Sequence, residues 1–168
     1  MNANGVSGAG TGQYEEMATE VEIVAASVAD KSVVRNLLEL YLHDFSEMTR
    51  SDVDEHGRFG YAYLDHYWTE PGRHPFLIRA DGRLAGFALV RSGTPHDVTE
   101  FFVLRKYRRS GVGLLAARAL FAMFPGEWQV REMTANTGAT AFWRRAIPVP
   151  FDEDVIDAGP VQRFRIDG

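Results

Sequence analysis

Residues 97–124 run a strand pattern, a glycine-bearing turn and a helix pattern together, and no other stretch limits the fold so strongly. Asp97-Val-Thr-Glu-Phe-Phe-Val-Leu104 is rich in β-branched and aromatic residues, as a half-buried strand requires. Arg108-Arg-Ser-Gly-Val-Gly113 follows, and Val112–Phe124 carries a single charge, Arg118, in an otherwise apolar helical stretch. The first N–H groups of a helix lack intrahelical partners and sit at the positive end of its dipole, so such a junction forms an anion cradle. Gly111 and Gly113 carry no Cβ to hold a phosphate away, and Arg108 and Arg109 add charge-assisted donors. Two better-known phosphate loops do not fit. There is no Gly-Lys-Ser/Thr of a P-loop, and no Gly-x-Gly-x-x-Gly opens a βαβ unit with a later acidic residue.

The rest of the chain alternates strand and helix signals around this junction. Val21-Glu-Ile-Val-Ala-Ala26 reads as a first strand. Val33, Val34, Leu37, Leu38, Tyr41 and Leu42 recur at helical spacing behind an Asp30 cap. Residues 46–74 read as a second short helix and loops. Pro75–Ala80 and Arg83–Val90 form a hairpin around Asp81-Gly82. A strand over 128–134 and a helix over 137–146 come next, stopped by Pro148 and Pro150. Val161–Ile166 alternates like a closing strand. The order is β α α β β β α β α β β.

Two motifs then resemble a known family. Glu100-Phe-Phe-Val-Leu-Arg-Lys-Tyr-Arg-Arg-Ser-Gly-Val-Gly113 is similar to the acetyl-CoA-binding motif of the GNAT superfamily of N-acetyltransferases. Asn136-Thr-Gly-Ala-Thr-Ala-Phe-Trp143 resembles its Asn-x-x-Ala-x-x-Phe-Tyr helix. The resemblance spans residues 21–168 and is specific over 97–145. It implies an α/β (α+β) fold with a mixed, mostly antiparallel sheet of about seven strands flanked by about four helices. It also implies acetyl-CoA as co-substrate, with no metal, and direct transfer to a primary amine without an acyl-enzyme. Its cofactor contacts fall on Phe102, Val103, Leu104, Arg108, Arg109, Ser110, Gly111, Val112, Gly113, Asn136, Phe142 and Trp143. A bulge near Phe102 and Val103 would free backbone groups there for the pantetheine arm and the thioester oxygen.

Amine acylation needs a base for the ammonium, an oxyanion site and a proton for the thiolate. Glu100 stands where many family members carry a carboxylate, and Phe101 and Phe102 flank it, so partial desolvation would raise its pKa. Asp97 is the second candidate. Regular alternation puts the two on opposite faces, which a bulge would change. Trp143 occupies the family's usual tyrosine position; an indole N–H donates a hydrogen bond but does not deliver a proton. Tyr61, Tyr63 or Tyr67 would then have to serve, or water. Ala146-Ile147-Pro148 replaces the usual Gly-Phe.

For the acceptor, residues 44–70 hold seven carboxylates against Arg50 and Arg58, a net −5. With Asp65, Tyr67 and Trp68 they would receive a small cationic amine: a polyamine, an amino acid derivative or an aminoglycoside-like compound. A protein N-terminus or lysine is the alternative acceptor, and a non-catalytic acyl-CoA sensor is the alternative of another class. The chain's net charge of −5 argues against nucleic acid, and the absence of cysteine excludes disulfides and thiolate chemistry. The five histidines lack metal spacing. Residues 1–20 read as a flexible tail without a signal peptide, no window approaches a membrane span, and the expectation is a cytoplasmic monomer or homodimer.

Overall fold

The computed structural model describes residues 19–168, so most of the expected tail lies outside the described residues. Thirteen elements follow the expected alternation, two of them single 3-10 turns. Strand β1 (Val21–Ala25) leads through a 3-10 turn to helix α1 (Lys31–Thr49) and the one-turn helix α2 (His66–Thr69). Strands β2 (Arg73–Ala80), β3 (Arg83–Arg91) and β4 (His96–Val103) follow, then a 3-10 turn over Arg105–Tyr107 and α3 (Val112–Met123). β5 (Gly126–Arg131), α4 (Thr137–Ala146), β6 (Asp152–Ile156) and β7 (Gly159–Ile166) complete the fold. The sheet order is β1-β2-β3-β4-β5-β7-β6. Every pair is antiparallel except β4–β5, because α3 carries the chain back across the sheet between them.

Local chemistry explains most boundaries. Asp81 and Gly82 both take positive φ, the geometry a two-residue hairpin turn demands. Asp30 does not cap α1. Its carboxylate turns back to accept the Ser27 N–H and Oγ at 2.9 and 2.7 Å, so it closes the 3-10 turn instead. α1 runs a further seven residues beyond Leu42 and ends at Arg50, which is left-handed with its N–H on the Ser46 carbonyl. β5 is shorter at its far end than its apolar pattern suggested, and β6 supplies the partner that pairs the closing strand β7.

The sheet buries both faces. On one, Val34, Leu37 and Leu38 of α1 meet Leu77, Phe87, Leu89 and Phe102, with Leu64 and Tyr67 beside them. On the other, Ala117, Leu120 and Phe121 of α3 and Trp143 and Ala146 of α4 cover Val90, Val98, Trp128, Val130 and Phe164. Each large side chain removed from water there contributes about 2 kcal/mol. Among the described residues no helix is long and apolar enough to cross a membrane.

Candidate active site

β4 carries an irregularity that decides which side chains meet. Leu89 pairs with Glu100 and Val90 with Val98, so Thr99 is an extra residue without a partner across β3. Its Oγ1 donates to the Leu89 carbonyl at 2.8 Å, occupying an acceptor that a regular ladder would have used. The bulge therefore lies at Thr99, three residues upstream of the position the resemblance implied. Phe102 and Val103 remain in register with Phe87 and Gly86. One consequence is that Asp97 and Glu100 both face α1 and α2, where regular alternation would have separated them. Phe101 and Val103 face α3 and α4.

A second irregularity opens the sheet. β4 and β5 pair only through Val98 and Val130, and beyond that point the two strands part. A cavity of about 460 Å³ fills the gap. Its walls come from Val98–Phe101 of β4, Val130–Met133 at the end of β5, Tyr41, Phe45 and Phe59 on the α1 side, and Asn136 and Trp143 on the α4 side.

Glu100 forms part of this wall. Tyr41 and Tyr61 donate their hydroxyls to its two carboxylate oxygens, Tyr61 at 2.9 Å. Burial pushes the Glu100 carboxyl above its ordinary value despite both donors, with a smaller push from Asp97. Burial and the Glu100 charge in turn push both phenols up, so they stay protonated donors. Asp97 is differently placed. It is 3 % exposed, and its Oδ2 accepts from Arg91 at 3.0 Å and Arg131 at 2.6 Å. Those two guanidiniums engage one of its two carboxylate oxygens, and Asp97 is not part of the cavity wall.

The expected acceptor-side residues are elsewhere. Tyr67 is buried with its hydroxyl on Thr99 at 2.5 Å. Trp68 donates its indole N–H to the Ala26 carbonyl at 2.9 Å, and Asp65 pairs with Lys31 at 2.7 Å. Tyr67 and Trp68 brace α2 against β4 and the end of β1, Asp65 ties it to the start of α1, and none of the three lines the cavity. The acidic segment behaves likewise. Asp44 binds Arg105 and Arg108, Asp54 folds its own loop through the His56 and Arg58 N–H groups, and Glu70 takes Arg73. From residues 44–70 the cavity receives Phe45, Thr49, Ser51, Phe59 and Gly60, and no carboxylate. Basic side chains pair Asp44, Asp65 and Glu70, contacts that net charge does not reveal.

The cradle is present with its parts redistributed. Gly111 has φ +86 at the start of α3, and a Cβ there would meet nothing within 4 Å. Among the described residues, the N–H groups of Gly111–Leu114 have no protein acceptor. Arg109 and Ser110 are exposed beside them, and Ser110 Oγ donates to the Tyr107 carbonyl. Arg108 is exposed as well, but its guanidinium is engaged by the protein. Its Nε donates to the Val103 carbonyl at 2.8 Å and its Nη2 to Asp44, so it ties the loop to β4 and α1. Gly113 serves packing: a Cβ would stand 3.2 Å from the Phe142 ring. Val112, the first residue of α3, is buried in a cluster with Ile78, Ala85 and Val103, and the Leu104 N–H bonds the Ala85 carbonyl.

On the α4 side, Asn136 caps the helix by accepting the Ala139 N–H at 3.1 Å while also lining the cavity. Phe142 stacks on Phe101, and Trp143 packs edge-on against the same ring. None of the three tyrosines weighed as proton donors lies here. Tyr61 and Tyr67 are engaged on the opposite face, and Tyr63 is exposed beside His66. Sequence reasoning missed Glu132. This residue follows β5, is 7 % exposed, lines the cavity, and accepts the Gln162 amide at 3.3 Å. Burial pushes its carboxyl up to about 7. The available signal was a carboxylate within the 128–134 strand pattern, in alternation with Trp128 and Val130.

The profile of the acetyltransferase (GNAT) family matches residues 34–147. The chain belongs to the acetyltransferase (GNAT) family. Membership makes it an acyltransferase of the N-acetyltransferase type, and solved GNAT structures share its fold. The PaiA N-acetyltransferase from Thermoplasma acidophilum, in complex with coenzyme A, superposes with a TM-score of 0.62 at 14% identity, covering 87% of this chain and 99% of that one. The ribosomal-protein-S18-alanine N-acetyltransferase from Escherichia coli gives 0.63 at 13% identity over 89% and 96%. The aminoglycoside acetyltransferase AAC(6')-Ib in complex with coenzyme A gives 0.64 at 13% identity over 87% and 95%. No curated protein sequence matches significantly. The match covers both GNAT motifs and the β4–β5 splay between them.

Proposed function

We propose that this GNAT enzyme transfers the acetyl group of acetyl-CoA directly to a small primary amine, with Glu100 as the base. The observation that carries this reading is a half-buried carboxylate of raised pKa, held by two phenols, in the wall of the β4–β5 cavity. The free N–H groups of Gly111–Leu114 and the exposed Arg109 suit the coenzyme's pyrophosphate. The edge of β4 beyond Val98, unpaired on the β5 side, suits its pantetheine arm and offers backbone N–H groups toward a thioester oxygen. Glu100 takes the proton from the acceptor ammonium, and the freed amine attacks the carbonyl carbon. Asp97 acts as a positioning residue, holding Arg91 and Arg131 behind the bulge.

The same walls bear on the acceptor. Tyr41, Leu42, Phe45 and Phe59 give a mainly apolar, aromatic surface on the Glu100 side, with Thr49 and Ser51 as its neutral polar members and no second carboxylate there. Such a site suits one ammonium on an apolar skeleton, as in an amino acid derivative or arylalkyl monoamine. It offers nothing to a further positive charge. In a panel of amines followed by thiol release, apolar monoamines are expected to exceed spermidine and aminoglycosides in kcat/KM by about tenfold or more. Higher kcat/KM for the polycations would reject this acceptor class.

Tyr41→Phe provides a finer check on Glu100. Donors to a carboxylate stabilise its ionised form, so removing one raises the pKa further. The acidic limb of the pH–rate profile should move to higher pH, with the plateau changed by less than about threefold.

A further inference from the structure

We propose that Glu132 donates the proton taken up by the leaving coenzyme A thiolate, from the sheet face opposite Glu100. The proposal rests on reading the β4–β5 gap as the acetyl-CoA site. Glu132 stands on the α4 side of that gap. Trp128 and Val130 of β5 pack against α3 and α4, and Glu132 continues their alternation one residue past the strand. Its hydrogen-bond partner Gln162 lies two residues from Phe164, which belongs to the same apolar cluster. Glu132, Trp143 and Asn136 all line the cavity, whereas Tyr41 and Tyr61 hold Glu100 on the other face. The gap therefore has one carboxyl group on each side.

The surroundings of Glu132 favour an acid over a carboxylate. Gln162 donates its amide to both Glu132, at 3.3 Å, and Glu153 of β6, at 2.8 Å. Arg144 of α4 is the cation of this cluster, and it is committed to both oxygens of Glu153 at 2.9 and 2.5 Å. Among the described residues Glu132 thus has no cation of its own, and its Oε1 has no protein partner. Burial is the largest push on its proton affinity, Glu153 adds to it, and Gln162 and Arg144 oppose it; the balance lies at about 7. Near neutrality an appreciable fraction carries a proton, at the position where Trp143 has none to give.

The step balances. The amine lone pair forms the C–N bond, the C–S pair leaves on sulfur, and the Glu132 proton converts the thiolate to thiol. The nitrogen sheds two protons, one through Glu100 and one to water, and Glu132 recovers one from water. One proton is released per turnover.

Single-turnover acetyl transfer, measured from about pH 5.5 to about pH 9, tests this on the wild type and on Glu132→Gln. The wild-type rate should fall above about pH 7 as the acid is lost. Glu132→Gln should lose about tenfold or more at low pH and lose that basic limb, with coenzyme A affinity by calorimetry within about twofold. Its melting temperature should hold or rise, because a carboxyl with a raised folded pKa costs stability as pH climbs toward that value. A variant that keeps rate and limb overturns the proposal. So does a wild-type rate that stays flat to about pH 9, whatever the variant does. Absence of any acetyl transfer by the wild type rejects the underlying reading instead, and the proposal with it.

Discussion

Glu100→Gln is expected to slow acetyl transfer by about 10²–10³-fold and to remove the acidic limb of the pH–rate profile. The loss corresponds to about 3–4 kcal/mol of barrier. The amide keeps the side chain's size; its oxygen accepts from one of the two phenols and its NH2 donates to the other phenol's oxygen, so the wall of the cavity stays in place. What disappears is the proton acceptor. In the wild type, rate should rise with pH through the raised Glu100 value, because the ionised form is the working one and burial delays its appearance. Stopped-flow or thiol-release rates across pH decide it. An unchanged profile in Glu100→Gln would transfer the role of base elsewhere.

The second large effect is structural. Gly86→Ala would put a Cβ 1.9 Å from the Phe102 carbonyl oxygen and 3.1 Å from the Val103 Cα. Both are backbone atoms of β4, so no side chain can rotate away. The two strands must separate at the segment that borders the cavity, at a cost of about 3 kcal/mol. For a chain of this size that lowers the melting temperature by roughly 6–12 °C. Because Phe102 and Val103 would shift with it, coenzyme A affinity should fall as well. Thermal melts together with calorimetric titration separate the two readouts, and a variant as stable as the wild type would show that β3 and β4 are not held this closely.

Much of this architecture was legible in the sequence, and the reason is locality. The junction at 97–124 announces itself through strand composition, two glycines and an apolar helix. Asp81-Gly82 announces a hairpin, and the Asn136–Trp143 motif a helix with its cap. Each signal is complete within one contiguous stretch of chain. The site itself depends on longer reach. The bulge at Thr99 exists because its hydroxyl finds the Leu89 carbonyl on another strand, and nothing in residues 97–104 fixes that position. It is nevertheless what brings Asp97 and Glu100 to one face.

The acidic stretch 44–70 was misleading for the same reason. Asp44, Asp65 and Glu70 meet Lys31, Arg73, Arg105 and Arg108, three of these cations far along the chain, and none of the segment's carboxylates lines the cavity. Glu132 was overlooked because its burial depends on Gln162, thirty residues away on a strand with which β5 pairs. Gly113 illustrates a subtler limit. A glycine in a phosphate motif invites a phosphate explanation, while its neighbour here is the Phe142 ring.

A crystal structure with coenzyme A bound tests the central assignment most directly. The account predicts pyrophosphate oxygens on the N–H groups of Gly111–Leu114 and the pantetheine arm between β4 and the end of β5. Its sulfur should lie in the cavity between Glu100 and Glu132. A coenzyme whose arm runs outside the β4–β5 gap, or whose pyrophosphate avoids the start of α3, would contradict it.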